Sequence, residues 1–310
     1  METRVIGRGA LAGLIAGVLG VVFARIWAEP VIAKSIDYES GRNAILAVLN
    51  TTAGRPVVPE GPEMFSRTIQ STVGLATGII VFSVAMGAFV AVAYLVLHGR
   101  LAVRPQTLAW LLSGFGFLGV FLLPFAKYPA NPPAIGHNFT IVTRGQLYLV
   151  MVAASLALLG LAVFVAHRLS HRFGPFRATL IAAAGFLVLY GVLLAVMPSF
   201  GELSANAAHA DQFGFAPAAT ETPQPITNIL STPLSVDGKT IAPGQIVYPG
   251  FDADVLWKFR WYSLLNQVLV WTTTALVFGA LVDRLVGQAN PIPPAAETAQ
   301  PVGRDTCPTT

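Results

Sequence analysis

The residues of this chain that could do chemistry are few and scattered. Oxygen and imidazole donors able to hold a divalent cation stand at Glu29, Asp37, Glu39, Asn131, His137, Asp252 and Asp254. Imidazole suits borderline transition metals, whereas carboxylate suits harder ions. No H-x-x-x-H pattern or cysteine cluster gathers these donors, so a ligand set must come from segments far apart in the chain. His167 and His171 lie four apart and would share one side of a helix, a spacing that can chelate a metal. The adjacent Arg168 and Arg172 repel a cation, so the pair reads as part of a basic cap, as does His98. Cys307 is the single cysteine, which excludes a disulfide framework and Cys-based redox or metal motifs. There is no P-loop, G-x-G-x-x-G, G-x-S-x-G or H-E-x-x-H, so neither a catalytic residue nor a tightly bound cofactor is expected.

The elements that must position these donors are membrane spans. Hydrophobic residues make up 54% of the chain and charged residues 11%, against roughly 25% charged in ordinary globular proteins. Apolar runs cover about 5–27, 72–97, 106–125, 146–166, 177–197 and 262–282. Each reaches the roughly 20 residues that a helix needs to cross a bilayer. Backbone polar groups in hydrocarbon must bond internally, so these runs predict an all-α polytopic bundle of about six transmembrane helices. The first run exceeds the roughly 7–15 residues of a signal-peptide core, and its Ala28-Glu29-Pro30 end lacks an A-x-A cleavage pattern. It reads as a retained span.

Orientation follows from arginines in short connections: Arg4 and Arg8, Arg100 and Arg104, then Arg168, Arg172 and Arg177. One face, with the C-terminal segment, holds nine basic and four acidic residues, whereas the other holds ten and eleven. The positive-inside rule then makes both termini cytoplasmic in a multi-pass plasma-membrane protein. External segments are expected at about 28–71, 126–145 and 198–261, the last an irregular lid, within a transmembrane domain spanning 1–286. A disordered cytoplasmic tail is expected over 287–310. The basic residues are too dispersed to form a nucleic-acid patch, so the lipid bilayer is the partner that composition specifies.

No Asp, Glu or Lys lies near the middle of a span, where one would cost roughly 2.5–3.5 kcal/mol. This argues against a proton pump with a buried carboxylate relay. The ionisable residues sit at span ends: Arg25, Glu29, Lys127, Arg144, Lys258 and Arg260. Gly9, Gly13 and Gly17 in the first span, with Gly74 and Gly78 in the second, predict grooves for close helix packing.

The least ordinary stretch runs from Lys127 through Tyr128-Pro129-Ala130-Asn131-Pro132-Pro133 to His137. Its three prolines fix φ and remove donors, predicting a stiff turn whose free carbonyls could line a polar entrance. This stretch resembles the predicted cobalt transporter subunit family CbtA. So do Phe23 to Pro30, Ile36-Asp37-Tyr38-Glu39 and Phe259-Arg260-Trp261-Tyr262-Ser263-Leu264, and the likeness spreads over most of residues 1–285. Residues 204–250 read as an insertion relative to that family. The resemblance implies uptake of Co2+ as transported ion, a link to cobalamin synthesis and a small His-containing membrane subunit as partner.

On that reading the expected capture ligands are Glu29, Asn131 and His137. Arg25, Lys127, Arg144 and Arg260 act as structural support, and the arginines pair with the acids. Asn266 and Gln267 are expected along the path inward. Two alternatives stay open: a non-transporting membrane scaffold, and a membrane enzyme acting on lipid-linked substrate at the external face.

Overall fold

The computed structural model describes residues 2–52, 54, 65–101, 103–209, 221–227, 233–236 and 239–289. Six helices in it are long and apolar enough to cross a membrane. They are α1 (Glu2–Thr52), α2 (Arg67–Leu97), α3 (Pro105–Lys127), α4 (Ile141–Phe173), α5 (Pro175–Val196) and α6 (Ala253–Ala289). The tail expected from 287 is still helical at Ala289; the rest of it, with Cys307, lies outside the described residues.

One expected boundary changes because proline does not stop the helix. The helix expected to end at Trp27 continues to Thr52, so a segment read as loop is an extension of α1. Pro30 is tolerated because the turn before it, Ala24–Ala28, is π-helical. Widening the coil there takes up the missing donor and the ring clash. The same device recurs in α3, where a π-helical stretch at Phe117–Leu122 precedes Pro124. Pro124 has no N–H to offer Val120, and the Tyr148 hydroxyl of α4 donates to that carbonyl at 3.2 Å. The Tyr190 hydroxyl of α5 donates to the Leu123 carbonyl at 2.6 Å. Phenols thus satisfy α3 backbone groups in a medium that supplies no water.

The spans form two groups. α1 packs on α2 and α6, and α6 packs on α3, around Val5, Tyr94, Leu108, Trp271, Phe278 and Val282. α4 and α5 pair with each other and join the rest through the π-helical stretch of α3 and a smaller cluster of Tyr128, Met151 and Tyr190. Small residues set the closest approach, though not all the expected ones. Gly9 and Gly13 face the backbone of Gly87 and Ser83, whereas a Cβ at Gly78 would meet nothing within 4 Å. The α2 side of the groove is therefore Ser83 and Gly87 in place of Gly74 and Gly78.

The described residues of the long connection before α6, expected as an irregular lid, include short strands that add a little sheet to an otherwise helical protein. β1 (Ile226–Thr227) pairs antiparallel with β4 (Ile246–Tyr248), and β2 (Leu234–Val236) with β3 (Lys239–Ile241). The β1–β4 pair is held against the α1 extension. The Tyr38 hydroxyl donates to the Pro249 carbonyl at 2.9 Å, the Tyr248 hydroxyl to the Tyr38 carbonyl at 3.1 Å, and Arg42 to the Gln224 carbonyl at 2.7 Å. Tyr38 also packs edge-on against Phe251, with ring centroids 5.0 Å apart.

Candidate metal-capture site

The polar residues gather at the bundle end that holds the 126–140 loop, the extension of α1 and the start of α6. The proline loop there is folded into the protein and forms no open rim. Pro132 is fully buried, and its carbonyl accepts from the Ile135 amide at 3.3 Å. Ala134 and Gly136 take left-handed backbone at φ 73° and 91° to complete the reversal. Tyr128 stacks on Phe200 with centroids 4.3 Å apart, and its hydroxyl donates to the Pro198 carbonyl at 2.8 Å. Lys127 donates to the Leu194 carbonyl at 2.8 Å, fastening the end of α3 to the end of α5.

Each expected ligand oxygen is held by an arginine. Glu29, whose side chain is 12% exposed, forms an ion pair with Arg67. Asn131 accepts from Arg260 Nη2 at 2.9 Å through its Oδ1. Arg25, expected as a partner of the acids, instead donates to the Ser71 carbonyl at 3.4 Å. Arg144 does pair with an acid, placing Nε 3.5 Å from Oε2 of Glu221. That separation is ionic contact without a hydrogen bond, and both atoms are buried without a hydrogen-bond partner among the described residues.

Around that pair three chain segments meet. The Glu221 carbonyl accepts from the Gly136 amide at 3.3 Å, and Arg144 Nη2 donates to the His137 carbonyl at 3.2 Å. Asn206, on the short helix Ser204–Ala208, gives its amide hydrogens to the Phe200 and Gly201 carbonyls and to Glu221 Oε1, the last at 3.4 Å. Its Oδ1 is buried and accepts nothing among the described residues. The His137 ring stacks on Phe139, and Phe139 stacks on His209 with centroids 4.1 Å apart. Glu221 and Asn206 carry no spacing signal, and only tertiary contact brings them to His137 and Arg144.

Burial holds the His137 imidazole below its usual range; Glu221 opposes that shift, while Arg144, Arg42 and His209 reinforce it. The folded protein therefore binds fewer protons at His137 than the unfolded chain. Its contribution to stability is full above the unfolded value of 6.5 and is lost as pH falls toward the lower folded value. Melting temperature followed from pH 7.5 to 5 should decline more steeply in wild type than in His137→Gln. Parallel curves would contradict this.

Of the other sequence candidates, Asp252 has a structural role. Asp252 Oδ1 accepts from the Asp254 amide at 2.8 Å and caps α6. Asp37 is exposed on the α1 extension, which also carries Glu39. His167 and His171 do share a face, their rings 5.6 Å apart. Among the described residues no three His, Cys, Asp or Glu side chains gather closely enough to hold a metal. Deeper in the bundle, Asn266 Oδ1 is buried without a hydrogen-bond partner among the described residues, and it lies 3.1 Å from where a Cβ on Gly20 would be. Gln267 accepts from Trp271 Nε1 at 3.2 Å.

Compared with known proteins, the chain matches the family model described as probable cobalt transporter subunit (CbtA) over residues 2–283. No curated protein and no solved structure matches it.

Proposed function

Because the chain belongs to the probable cobalt transporter subunit (CbtA) family over nearly its whole length, we propose that this multi-pass membrane protein takes up Co2+ from outside the cell. The face bearing the proline loop is external, and the arginine-rich face with both termini is cytoplasmic. The observation that carries the reading is that three oxygen donors at that loop-bearing face are held by a positive charge: Glu29 by Arg67, Asn131 by Arg260 and Glu221 by Arg144. A guanidinium holds an oxygen donor ready but cannot itself ligate a cation, so an arriving divalent ion competes for those oxygens.

Capture involves Asn131 and His137, with Glu29 at the neighbouring mouth of α1, while Arg25, Lys127, Arg144 and Arg260 support the loop geometry. Inward passage uses neutral oxygens such as Asn266 and Gln267, since a fixed acid at mid-membrane would hold the ion too tightly. The energy comes from a partner subunit, for which a small His-containing membrane protein has suitable chemistry, or from the membrane potential.

Cobalt accumulation in cells tests this. Cells expressing the chain with its partner should accumulate more Co2+ than vector controls, and Asn131→Ala or His137→Ala should reduce uptake by about tenfold, the scale of losing a metal ligand or its support. Equal accumulation in all four strains would sink the transport reading.

A further inference from the structure

We propose that Glu221 and Asn206 join His137 as the ligands that capture the incoming divalent cation, with Arg144 the resident counter-charge that the ion displaces. This rests on the uptake reading and names donors for it. The Glu221 side chain is 3% exposed, yet its carboxylate is loosely held. Oε2 meets Arg144 Nε at 3.5 Å without a hydrogen bond, and Oε1 meets Asn206 Nδ2 at 3.4 Å. Asn206 is 8% exposed, and its amide is oriented by its own donated bonds, which leaves Oδ1 buried without a donor.

Glu221 Oε2 has ionic contact with Arg144 but no hydrogen bond, and the neighbouring Asn206 Oδ1 accepts nothing among the described residues, a buried oxygen that is costly unless a donor or cation meets it. A carboxylate, an amide oxygen and an imidazole suit a borderline divalent ion whose remaining positions are filled by water. Glu221 and Arg144 together are electrically neutral, and a divalent ion beside a fixed guanidinium would be repelled. Arg144, however, projects from the first turn of α4 with 21% of its side chain exposed, so it can swing its charge into water when the ion arrives. The guanidinium lies against Gly136, where a Cβ would come within 2.6 Å of Cζ. The glycine thus leaves room for the resting position of Arg144.

The test is equilibrium binding of radioactive Co2+ to the purified full chain in nanodiscs at pH 7.5, with melting temperature measured with and without metal. Glu221→Gln and Asn206→Leu should each weaken binding by about tenfold or more and remove the metal-induced rise in melting temperature. Asn206→Asp should bind more tightly, a gain that a merely structural asparagine would not give.

Unchanged affinity in Glu221→Gln and Asn206→Leu, or weakened binding in Asn206→Asp, would overturn the site, as would a wild type that binds no Co2+. If Glu221→Gln does not fold, the two Asn206 variants decide. Cellular uptake separates this proposal from the one beneath it. Normal accumulation by binding-deficient variants removes the capture site and leaves uptake standing. Ligand-dependent binding with no accumulation even by wild type removes uptake and leaves the site.

Discussion

Gly13→Leu should yield a protein that no longer holds its first two spans together, detected as loss of a cooperative melt in detergent and rapid proteolysis of the extracted chain. A Cβ at Gly13 would fall on the Ser83 carbonyl and lie 2.9 Å from the Val84 Cα. Next to it, a Cβ at Gly87 would come 2.9 Å from the Gly13 nitrogen, so the contact is backbone on backbone from both sides. Neither helix has a flexible side chain there to yield. In a bilayer the helices gain nothing by hiding apolar surface from lipid, and close van der Waals contact is what joins them. Forcing them apart should cost about 3 kcal/mol or more, the upper part of the range for overpacking. Gly78→Leu is the matched control, because a Cβ there meets nothing within 4 Å and the residue lies on α2, the helix against which Gly13 packs. A wild-type melt for Gly13→Leu, or equal damage from the two variants, would show that the spans are joined elsewhere.

The second large effect concerns the buried ion pair. Arg144→Met leaves Glu221, with its side chain 3% exposed, without the one ion-pair partner it has among the described residues. Breaking one side of such a pair costs about 3–5 kcal/mol, because the remaining charge stays desolvated. The expected result is a marked loss of thermal stability, with the segments around residues 136 and 221 becoming susceptible to protease first. Adding Glu221→Gln to Arg144→Met removes the stranded charge and should recover most of the loss. A double variant no more stable than Arg144→Met alone would mean that Arg144 contributes by packing and not by charge.

How much of this was legible in the sequence depended on the kind of signal. Long apolar runs are a direct consequence of bilayer thickness, so all six spans could be read from them. The continuation of α1 to Thr52 could not, because Pro30 ordinarily marks a boundary and the compensating π-helical turn has no sequence period of its own. Nor does the polar 29–52 stretch announce what it packs against. Tyr38 and Arg42 find their partners only when Gln224, Pro249 and Phe251 fold back on them.

The glycine groove was half right for a similar reason. Both Gly78 and Gly87 are small residues in one helix, and only the crossing geometry decides which of them faces α1. Arg144 and Arg260 could be singled out from their positions at span ends, and Asn131 and His137 from the proline-rich loop; the structure pairs Asn131 with Arg260. Glu221 and Asn206 were missed because each sits in an aperiodic connection, and nothing local marks an acid that will become buried.

The extension of α1 also has a mechanical meaning. Its outer 24 residues, Glu29–Thr52, continue the same helix that crosses the bilayer, and at 1.5 Å per residue they make an arm of about 36 Å. A tilt of the membrane-embedded half by only about 10° would sweep the far end of such an arm through roughly 6 Å. Because the β1–β4 pair and Gln224 are bolted to that arm through Tyr38 and Arg42, a small rocking of one span inside the lipid becomes a displacement of the outer segments as large as an ion with its water shell.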